Sequence, residues 1–568
     1  MKPLDTDRDV LPAWMTSNSV VGMPELNSTR KNKTHINIER SAPDILKEFH
    51  TTQTIGIATE LLNVAIIEND QKNAYIAADF LKNKQLLSPS LIKLLNKPWG
   101  IQTPEQPTPN EHPITRLKRE LRFSNNNPLA WADLSREYAI FGEQERSIKA
   151  MLAALHYAND HRWITRIGAR VFVHFNEPDR AHYTLLKNTN IKSDPWLIAT
   201  EMAVSRKANK QSKLLQIGKK FLESNIPPIH VSELASSFAT LELLSGAEKK
   251  AKSLFKQSLL DPNQNSLAQA KWAERNSRLK KLVKVPLDSH VIAYEAQYWE
   301  AYSKQDILLA IGFAKAWYNQ EPYSSGPAIA ISYLAALLDD YELILQITTK
   351  GLVANPHNST LKLNQIFAWI ANTDLNQISN EKTELIDKTL RTLNSLIEHD
   401  DWSLKAHALA NTGMLYYRTG NLEAGHQRYS LAEEIYEKHA PHLKPELITN
   451  HLREALISDA SWAHEIMIRA SEITKKQDNS VSSGAIFYLK KIEKLSIQPG
   501  SWLFKFKHEG STQLIANEIS NGNSTAKQLV HIDLESKFWL PEKFSSKEIL
   551  RPFTLSGETT KSKQKHES

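Results

Sequence analysis

The sequence contains no cysteine in 568 residues. Without thiols, the chain cannot form disulfides, use a thiolate nucleophile, or hold zinc or an iron–sulfur cluster through cysteine. No stretch approaches the roughly 18 consecutive apolar residues that suggest a membrane-spanning helix. The first residues, MKPLDTDRDVLPAW, lack the positive start and apolar run of a signal peptide. These absences predict a soluble, cytoplasmic protein without a membrane partner.

Motifs that carry chemistry are also missing. The sequence has no phosphate-binding loop of the G-x-x-x-x-G-K-[ST] or G-x-G-x-x-G type, and no G-x-S-x-G nucleophile turn. His464-Glu465 begins like a zinc-protease helix, but Ile468 stands where the second histidine is needed. His439 and His442 flank a turn, which is more typical of solvated histidines than of metal ligands. The sequence therefore predicts no catalytic residue, no metal and no cofactor, and a protein that is not an enzyme.

Neither sign of charge dominates. Lys and Arg number 70 and Asp and Glu number 63, which leaves a net charge of +7. A dedicated nucleic-acid-binding protein usually carries a denser basic face. Two basic clusters, residues 116–122 and 275–284, could contact phosphates. We interpret both as solvated helix faces, each with two leucines on its buried side: Leu117 and Leu121, and Leu279 and Leu282.

Composition changes near the N-terminus predict three segments. Residues 1–40 are polar and aperiodic, which predicts disorder. Within them, residues 10–14 (VLPAW) form an isolated apolar patch that is either a docking peptide or part of a flexible tail. Residues 41–96 predict a helical hairpin region. Five prolines then fall within residues 97–113, and because proline disfavours helix, this stretch predicts an extended linker.

The rest of the chain divides in the same way. Residues 114–476 show a helical period throughout, with short polar turns. Residues 477–545 form a C-terminal extension in which the alternation at 501–507 is typical of a short strand. Residues 546–568 predict a disordered polar tail.

One spacing recurs within residues 114–476. Relative to Gly420, an aromatic residue stands four positions before, and a small residue, an aromatic residue and a small residue stand five, nine and twelve positions after. These positions are Tyr416, Gly425, Tyr429 and Ala432. The same offsets, with mostly small and large apolar residues, recur with Gly142, Gly246, Gln305 or Asp339 as the anchor, and Pro262, Pro322 and Pro356 follow three of these units. The pattern predicts helical hairpins in which small residues mark close helix contacts and the anchor glycines end first helices at positive φ.

This series resembles the tetratricopeptide repeat (TPR), a helix–turn–helix unit of about 34 residues. Two windows carry the resemblance: Trp131, Leu134, Tyr138, Ser147 and Ala154, and Gly413, Tyr416, Gly425, Tyr429 and Ala432. The resemblance covers about residues 116–440. It implies an all-α fold in which antiparallel hairpins stack into an α-solenoid with one continuous core.

The resemblance also implies a concave groove that is lined by first helices and binds a protein or peptide. By the family's pattern, the groove-facing candidates are Arg136, Trp299, Tyr302, Tyr333, Asn411, Tyr417 and Arg418. Aromatic residues beside arginine suit hot-spot recognition. The sequence thus predicts a non-enzymatic scaffold or adaptor. The alternative is a nucleic-acid-associated regulator that uses the basic clusters, and the oligomeric state stays open.

Overall fold

The computed structural model describes residues 8, 10–19, 42–67, 71–82, 84, 112–274, 279, 281–283, 293–373, 375, 380–475 and 483–497. All regular secondary structure in these residues is helical, so the predicted all-α class is confirmed for them. Most of the predicted linker (residues 97–111), the alternating stretch 501–507 and the predicted tail 546–568 lie outside the described residues.

The described residues form 24 α-helices, whose bounds are as follows. They are α1 Ala42–Thr51, α2 Ile55–Ile67, α3 Gln71–Lys82, α4 Pro113–Phe123, α5 Pro128–Ile140, α6 Gln144–Tyr157, α7 Arg162–His174, α8 Pro178–Lys187, α9 Pro195–Lys207, α10 Leu215–Glu223, α11 Pro228–Leu244, α12 Glu248–Ser258, α13 Gln264–Ala273, α14 Tyr294–Ser303, α15 Ile307–Gln320, α16 Ser325–Leu337, α17 Tyr341–Ala354, α18 Ser359–Asn372, α19 Asn380–Ile397, α20 Trp402–Arg418, α21 Leu422–His439, α22 Lys444–Ile457, α23 Ala463–Lys475 and α24 Ser483–Ile497. Short 3₁₀ turns occupy Ser17–Ser19 and Pro441–Leu443.

Successive helices pack as sequential hairpins, and a recurring turn closes most of them. The turn contains one residue with positive φ: Gly142, Asn176, Asn209, Gly246, Gln305, Asp339, Gly420 or Asp459. In each turn two backbone N–H groups bond back to the end of the first helix. For example, Asp339 N donates to Ala336 O (3.1 Å) and Asp340 N donates to Ala335 O (2.9 Å). This geometry satisfies carbonyls that the helix end leaves unpaired.

All five predicted anchor positions fall at these turns, so the predicted hairpin boundaries are confirmed there. The structure adds three turns that the sequence pattern did not mark, at Asn176, Asn209 and Asp459.

Prolines mark where several first helices begin. Asn127 and Asp194 cap α5 and α9, and a proline follows each cap directly. The Asn127 Oδ1 accepts from Leu129 N (3.1 Å), and the Asp194 Oδ1 accepts from Trp196 N (3.0 Å). A proline at the first helical position loses no hydrogen bond, because its N–H would have no partner in the helix.

The α20/α21 hairpin shows the predicted close approach of two helices at glycine. A Cβ added at Gly425 would lie 2.7 Å from Tyr417 Cδ2 and 3.0 Å from Gly413 O. Tyr429 and Ala432 are buried beside it, as the pattern predicts. The tyrosine in contact with Gly425 is Tyr417, not the neighbouring Tyr416 of the repeat pattern.

The chain splits into two compact units, residues 9–266 and residues 267–568 with residues 1–8. We call them the N-terminal and C-terminal units. Within the first, α5, α7, α9 and α11 contact one another in order, and within the second, α16, α18, α20 and α22 do so. None of the described helices combines the length and apolarity that a membrane crossing requires.

Candidate partner-binding surfaces

Two of the predicted groove residues, Tyr302 and Tyr333, lie together in the C-terminal unit. Tyr333 Oη donates to Glu446 Oε1 at 2.6 Å, and Tyr302 Oη lies 3.2 Å from Tyr333 Oη. Burial, reinforced by the neighbouring Glu446 carboxylate, raises the pKa of Tyr333 well above its ordinary value. Tyr333 is therefore a neutral hydrogen-bond donor that connects α16 to α22.

Asn411 and Tyr417, both on α20, are also engaged within the chain. Asn411 Nδ2 donates to the Leu363 carbonyl on α18 (2.9 Å). Tyr417 Oη lies 2.9 Å from His451 Nε2 and accepts from Trp462 Nε1 at 2.7 Å. These contacts fasten α20 to α18 and α22.

Trp299 and Arg418 complete the predicted set in this unit. Trp299 is buried, and its Nε1 lies 3.4 Å from Glu295 Oε1 on the same helix. Arg418 Nε donates to Glu454 Oε2 on α22 at 2.6 Å. The structure thus gives all six predicted residues of this unit partners within the chain, and their contact with another molecule stays a prediction.

Helix α24 packs on the first helices α16 and α22 and on α23. Its buried side chains are Ala485, Phe487, Tyr488, Leu489, Lys491 and Ile492. The neighbouring Lys490 is exposed. Within residues 484–492, α24 is therefore buried around most of its circumference. Helix α24 lies within residues 477–545, which the sequence predicts to be an extension with a short strand, although the helical spacing of its apolar residues is visible in the sequence.

The polar centre of the α24 contact is Asp339, the positive-φ residue of the α16/α17 turn. Its carboxylate accepts from Lys491 Nζ (2.5 Å) and Tyr488 Oη (2.9 Å) of α24, and from Tyr341 Oη (2.9 Å). Burial alone would raise the pKa of Asp339, but the charges of Lys491 and Arg453 outweigh it and lower the pKa. Asp339 is therefore ionised beneath α24.

A second ion cluster lies beside this carboxylate. Glu454 accepts from Arg418 Nε (2.6 Å) and Arg453 Nε (2.8 Å). Burial opposes ionisation of Glu454, yet the two arginines lower its pKa. Arg453 Nη1 also lies 4.0 Å from Asp339 Oδ1. Because Lys491 is much closer to that carboxylate, α24 supplies its direct ion-pair partner.

A glycine permits the close approach of α24 to α16. A Cβ added at Gly484 would overlap Tyr333 Oη and lie 3.3 Å from Leu337 Cδ1. No larger residue fits there without a shift of one of the two helices.

The N-terminal unit holds a second bound segment, residues 10–19, on helix α5. The Trp14 side chain is fully buried, and Arg136 Nε donates to the Trp14 carbonyl at 3.0 Å. Ser17 donates its backbone N–H (2.8 Å) and its hydroxyl (2.6 Å) to the two carboxylate oxygens of Asp133. The predicted groove residue Arg136 thus contacts a peptide segment of its own chain.

Residues 10–19 lie within the segment 1–40 that the sequence predicts to be disordered. In the structure, Trp14 and Ser17 contact α5, and Leu11 packs against the hydrophobic core of the N-terminal unit. A role of residues 10–14 as a docking peptide stays a prediction. Burial raises the pKa of Asp133 to about 6, against the opposing effect of the two Ser17 hydrogen bonds. A carboxylate with this pKa changes its charge within a mildly acidic range.

The first basic cluster lies in α4, where Leu117 and Leu121 are buried and Lys118 and Arg119 are exposed. This arrangement agrees with a solvated helix face. In the second cluster Leu279 and Leu282 are buried, whereas most of its basic residues fall outside the described residues.

Among the residues that the structure describes, no three His, Cys, Asp or Glu side chains form a group that could hold a metal ion. No model of a known protein family and no curated protein matches this chain.

Proposed function

We propose that this chain is a TPR-like α-solenoid that acts as a non-enzymatic scaffold or adaptor and binds a protein or peptide partner on the first helices of its hairpins. One observation carries the proposal: each unit already holds a segment of its own chain on such helices. Residues 10–17 contact α5, and α24 contacts α16 and α22.

The spacing of the turns supports the repeat part of the proposal. Asn176 follows Gly142 by 34 positions (176 − 142), and Asp339 follows Gln305 by 34 positions (339 − 305). This interval is the length of the TPR unit.

The contacts of residues 10–17 are of the kind that peptide-binding sites use. Trp14 is an aromatic anchor in a buried position, and Arg136 recognises a backbone carbonyl. The Asp133 carboxylate accepts one hydrogen bond from a backbone amide and one from a hydroxyl, both of Ser17. A partner that carries a similar segment would make the same contacts once residues 10–17 leave α5.

The test is affinity capture from the source cells with the full-length protein and its Trp14→Ala variant. We expect the variant to recover a partner in higher yield, because loss of the Trp14 anchor weakens the internal segment. A synthetic peptide of residues 10–19 should displace that partner, whereas the same peptide with Trp14→Ala should not.

A partner whose capture responds neither to the variant nor to the peptide would contradict the proposal, as would the recovery of no partner. If nuclease treatment removes the captured protein, the nucleic-acid alternative replaces the proposal.

A further inference from the structure

We propose that the outer face of helices α10 and α12 binds the phosphate backbone of a double-stranded nucleic acid without regard to base sequence. Both are second helices of hairpins, so this face is separate from the first helices to which the proposed function assigns a protein or peptide. Both lie within the N-terminal unit. The inference therefore goes beyond the proposed function and does not depend on it.

These two helices concentrate positive charge. Together they carry six lysines and two glutamates, a net charge of +4, whereas the whole chain has a net charge of +7. One of the lysines, Lys250, pairs with Glu242. The other five form no ion pair with another described residue, and we call them the lysine face: Lys219, Lys220, Lys249, Lys252 and Lys256.

Buried acidic residues of the neighbouring first helices are engaged inside the unit. Glu201 of α9 accepts from the Ser212 hydroxyl and lies 2.9 Å from His182 Nε2. Glu233 of α11 pairs with Arg166. Because both carboxylates are buried, the count of charges along the sequence understates the positive charge at the surface of this part of the unit.

Helices α10 and α12 lie side by side. Each packs against α11, and Gln257 Nε2 of α12 donates to the Leu222 carbonyl of α10 at 2.8 Å. Short turns connect both helices to α11, so both run antiparallel to it. The Gln257 contact therefore places Lys219 and Lys220 level with residues 252–256 of α12.

The spacing of the lysines on α12 suits a regular row of phosphates. Lys249, Lys252 and Lys256 stand at positions i, i+3 and i+7, which share one face of a helix. The opposite face is buried through Ala251 and Phe255. Seven residues of helix span about 10 Å, a length over which duplex DNA carries about six phosphates. Five lysines on two adjacent helices match this charge density.

The residue types favour a double strand that is bound without base reading. Lysine acts as a point charge, whereas recognition of a guanine edge commonly uses the bidentate fork of arginine. Proteins that bind single strands stack the bases on aromatic side chains. The two aromatic residues of these helices, Phe221 and Phe255, pack into the core of the unit instead.

An anionic membrane surface is the competing ligand. Helices that bind such a surface insert apolar side chains into the lipid in addition to contributing charge. The apolar residues of α10 pack against the core of the unit, and Leu254 of α12 does the same. The lysine face therefore offers charge without an apolar anchor, which favours the duplex.

The test measures binding of a short fluorescent DNA duplex to the full-length protein by anisotropy, at salt concentrations between about 50 and 200 mM. We expect binding at the low end of this range and a loss of affinity as the salt concentration rises. The variant Lys249→Gln/Lys252→Gln/Lys256→Gln should bind at least about tenfold more weakly. It should also reduce the slope of log affinity against log salt by about three, because each lost phosphate contact removes about 0.9.

Two control variants separate the lysine face from charge in general. Arginine at the same three positions keeps the charge and should keep the wild-type slope. The variant Lys388→Gln/Lys405→Gln/Lys438→Gln removes the same charge from exposed positions of the C-terminal unit and should change the slope by less than about one. Circular dichroism verifies that each variant is folded.

Three results would overturn the inference: no binding of the duplex at about 50 mM salt, equal slopes for the two glutamine variants, or tighter binding of a single strand than of the duplex. Flotation with vesicles that contain phosphatidylserine tests the competing ligand, and binding to vesicles without binding to the duplex would assign the face to a membrane instead. Capture of a protein partner on the first helices is measured separately, so failure of one proposal leaves the other standing.

Discussion

Eight residues with positive φ close hairpin turns in the described part of the chain, and three of them are glycine. Gly142, Gly246 and Gly420 could be recognised because glycine takes this conformation at little cost. Gln305 and Asp339 were found only through the spacing around them. The sequence pattern does not mark Asn176 and Asn209, because asparagine tolerates positive φ but also occurs in many other loops. The same turn conformation thus recurs although the residue type at the positive-φ position varies.

The contact between Gly413 and Gly425 gives a prediction about packing. We expect Gly425→Ala to lower the free energy of unfolding by about 1–3 kcal/mol, because its Cβ would press on Tyr417 and on the Gly413 carbonyl. Gly420→Asn is the matched control and should stay within about 1 kcal/mol, because a Cβ there meets nothing within 4 Å and asparagine tolerates the turn. Urea denaturation measures both. An equal loss in the two variants would contradict the close packing.

His451 gives a prediction about pH. Burial, with the nearby charges of His426 and Arg469, lowers the pKa of His451 from 6.5 to about 3. His451 therefore takes up a proton near pH 6.5 in the unfolded chain but only near pH 3 in the folded protein. Because the folded-state pKa is the lower one, the free energy of unfolding is highest above pH 6.5 and decreases as the pH falls from 6.5 towards 3. Each pH unit below 6.5 should cost about 1.4 kcal/mol.

The measurement is the free energy of unfolding of the wild type and of His451→Phe between about pH 7.5 and 4.5. The variant should show a smaller decrease with falling pH than the wild type. His357→Gln replaces an exposed histidine and should keep the wild-type dependence. Identical pH dependence in wild type and His451→Phe would exclude a buried neutral His451.

At the scale of single elements, the sequence predicts that α24 is a helix but not where it packs. Ala485, Tyr488, Leu489 and Ile492 stand at helical spacing, which predicts a helix from sequence alone. The sequence does not predict the packing site of α24, because Asp339 and Tyr333 lie some 150 positions earlier in the chain. No local period reports such a contact, which depends on how the hairpins bring distant residues together.

The docking of α24 gives the next prediction. We expect Gly484→Ala to increase hydrogen exchange in residues 483–492, because the added Cβ overlaps Tyr333 Oη. Tyr333→Phe removes that hydroxyl, so the double variant should recover part of the protection. Hydrogen exchange read by mass spectrometry measures this. Unchanged exchange in Gly484→Ala would show that α24 does not pack on α16 in this way.

At the scale of the whole molecule, the sequence predicts the helical class and the hairpin order but not the pairing of buried charges. The totals of 70 basic and 63 acidic residues say nothing about which ones meet. In the N-terminal unit, Arg162 pairs with Asp194 at 2.5 Å, and Arg166 pairs with Glu233. These pairs join first helices α7 and α11 and the cap of α9, and they are settled only by tertiary packing.

The two units have one feature in common, a segment of the chain that lies on first helices: residues 10–19 in one unit and α24 in the other. For the predicted groove residues this means that their partners in the structure are internal. Arg136 contacts the first segment directly, and Tyr333 borders the second at Gly484. The proposed function therefore requires that these segments leave their sites while the hairpins stay folded.

Native-state hydrogen exchange of the full-length chain tests this most directly. We expect residues 10–17 and 483–492 to exchange at least about tenfold faster than helices α20 to α22, through local release from an otherwise folded protein. Exchange of both segments at the same rate as those helices would contradict it, because the segments would then be inseparable parts of the core.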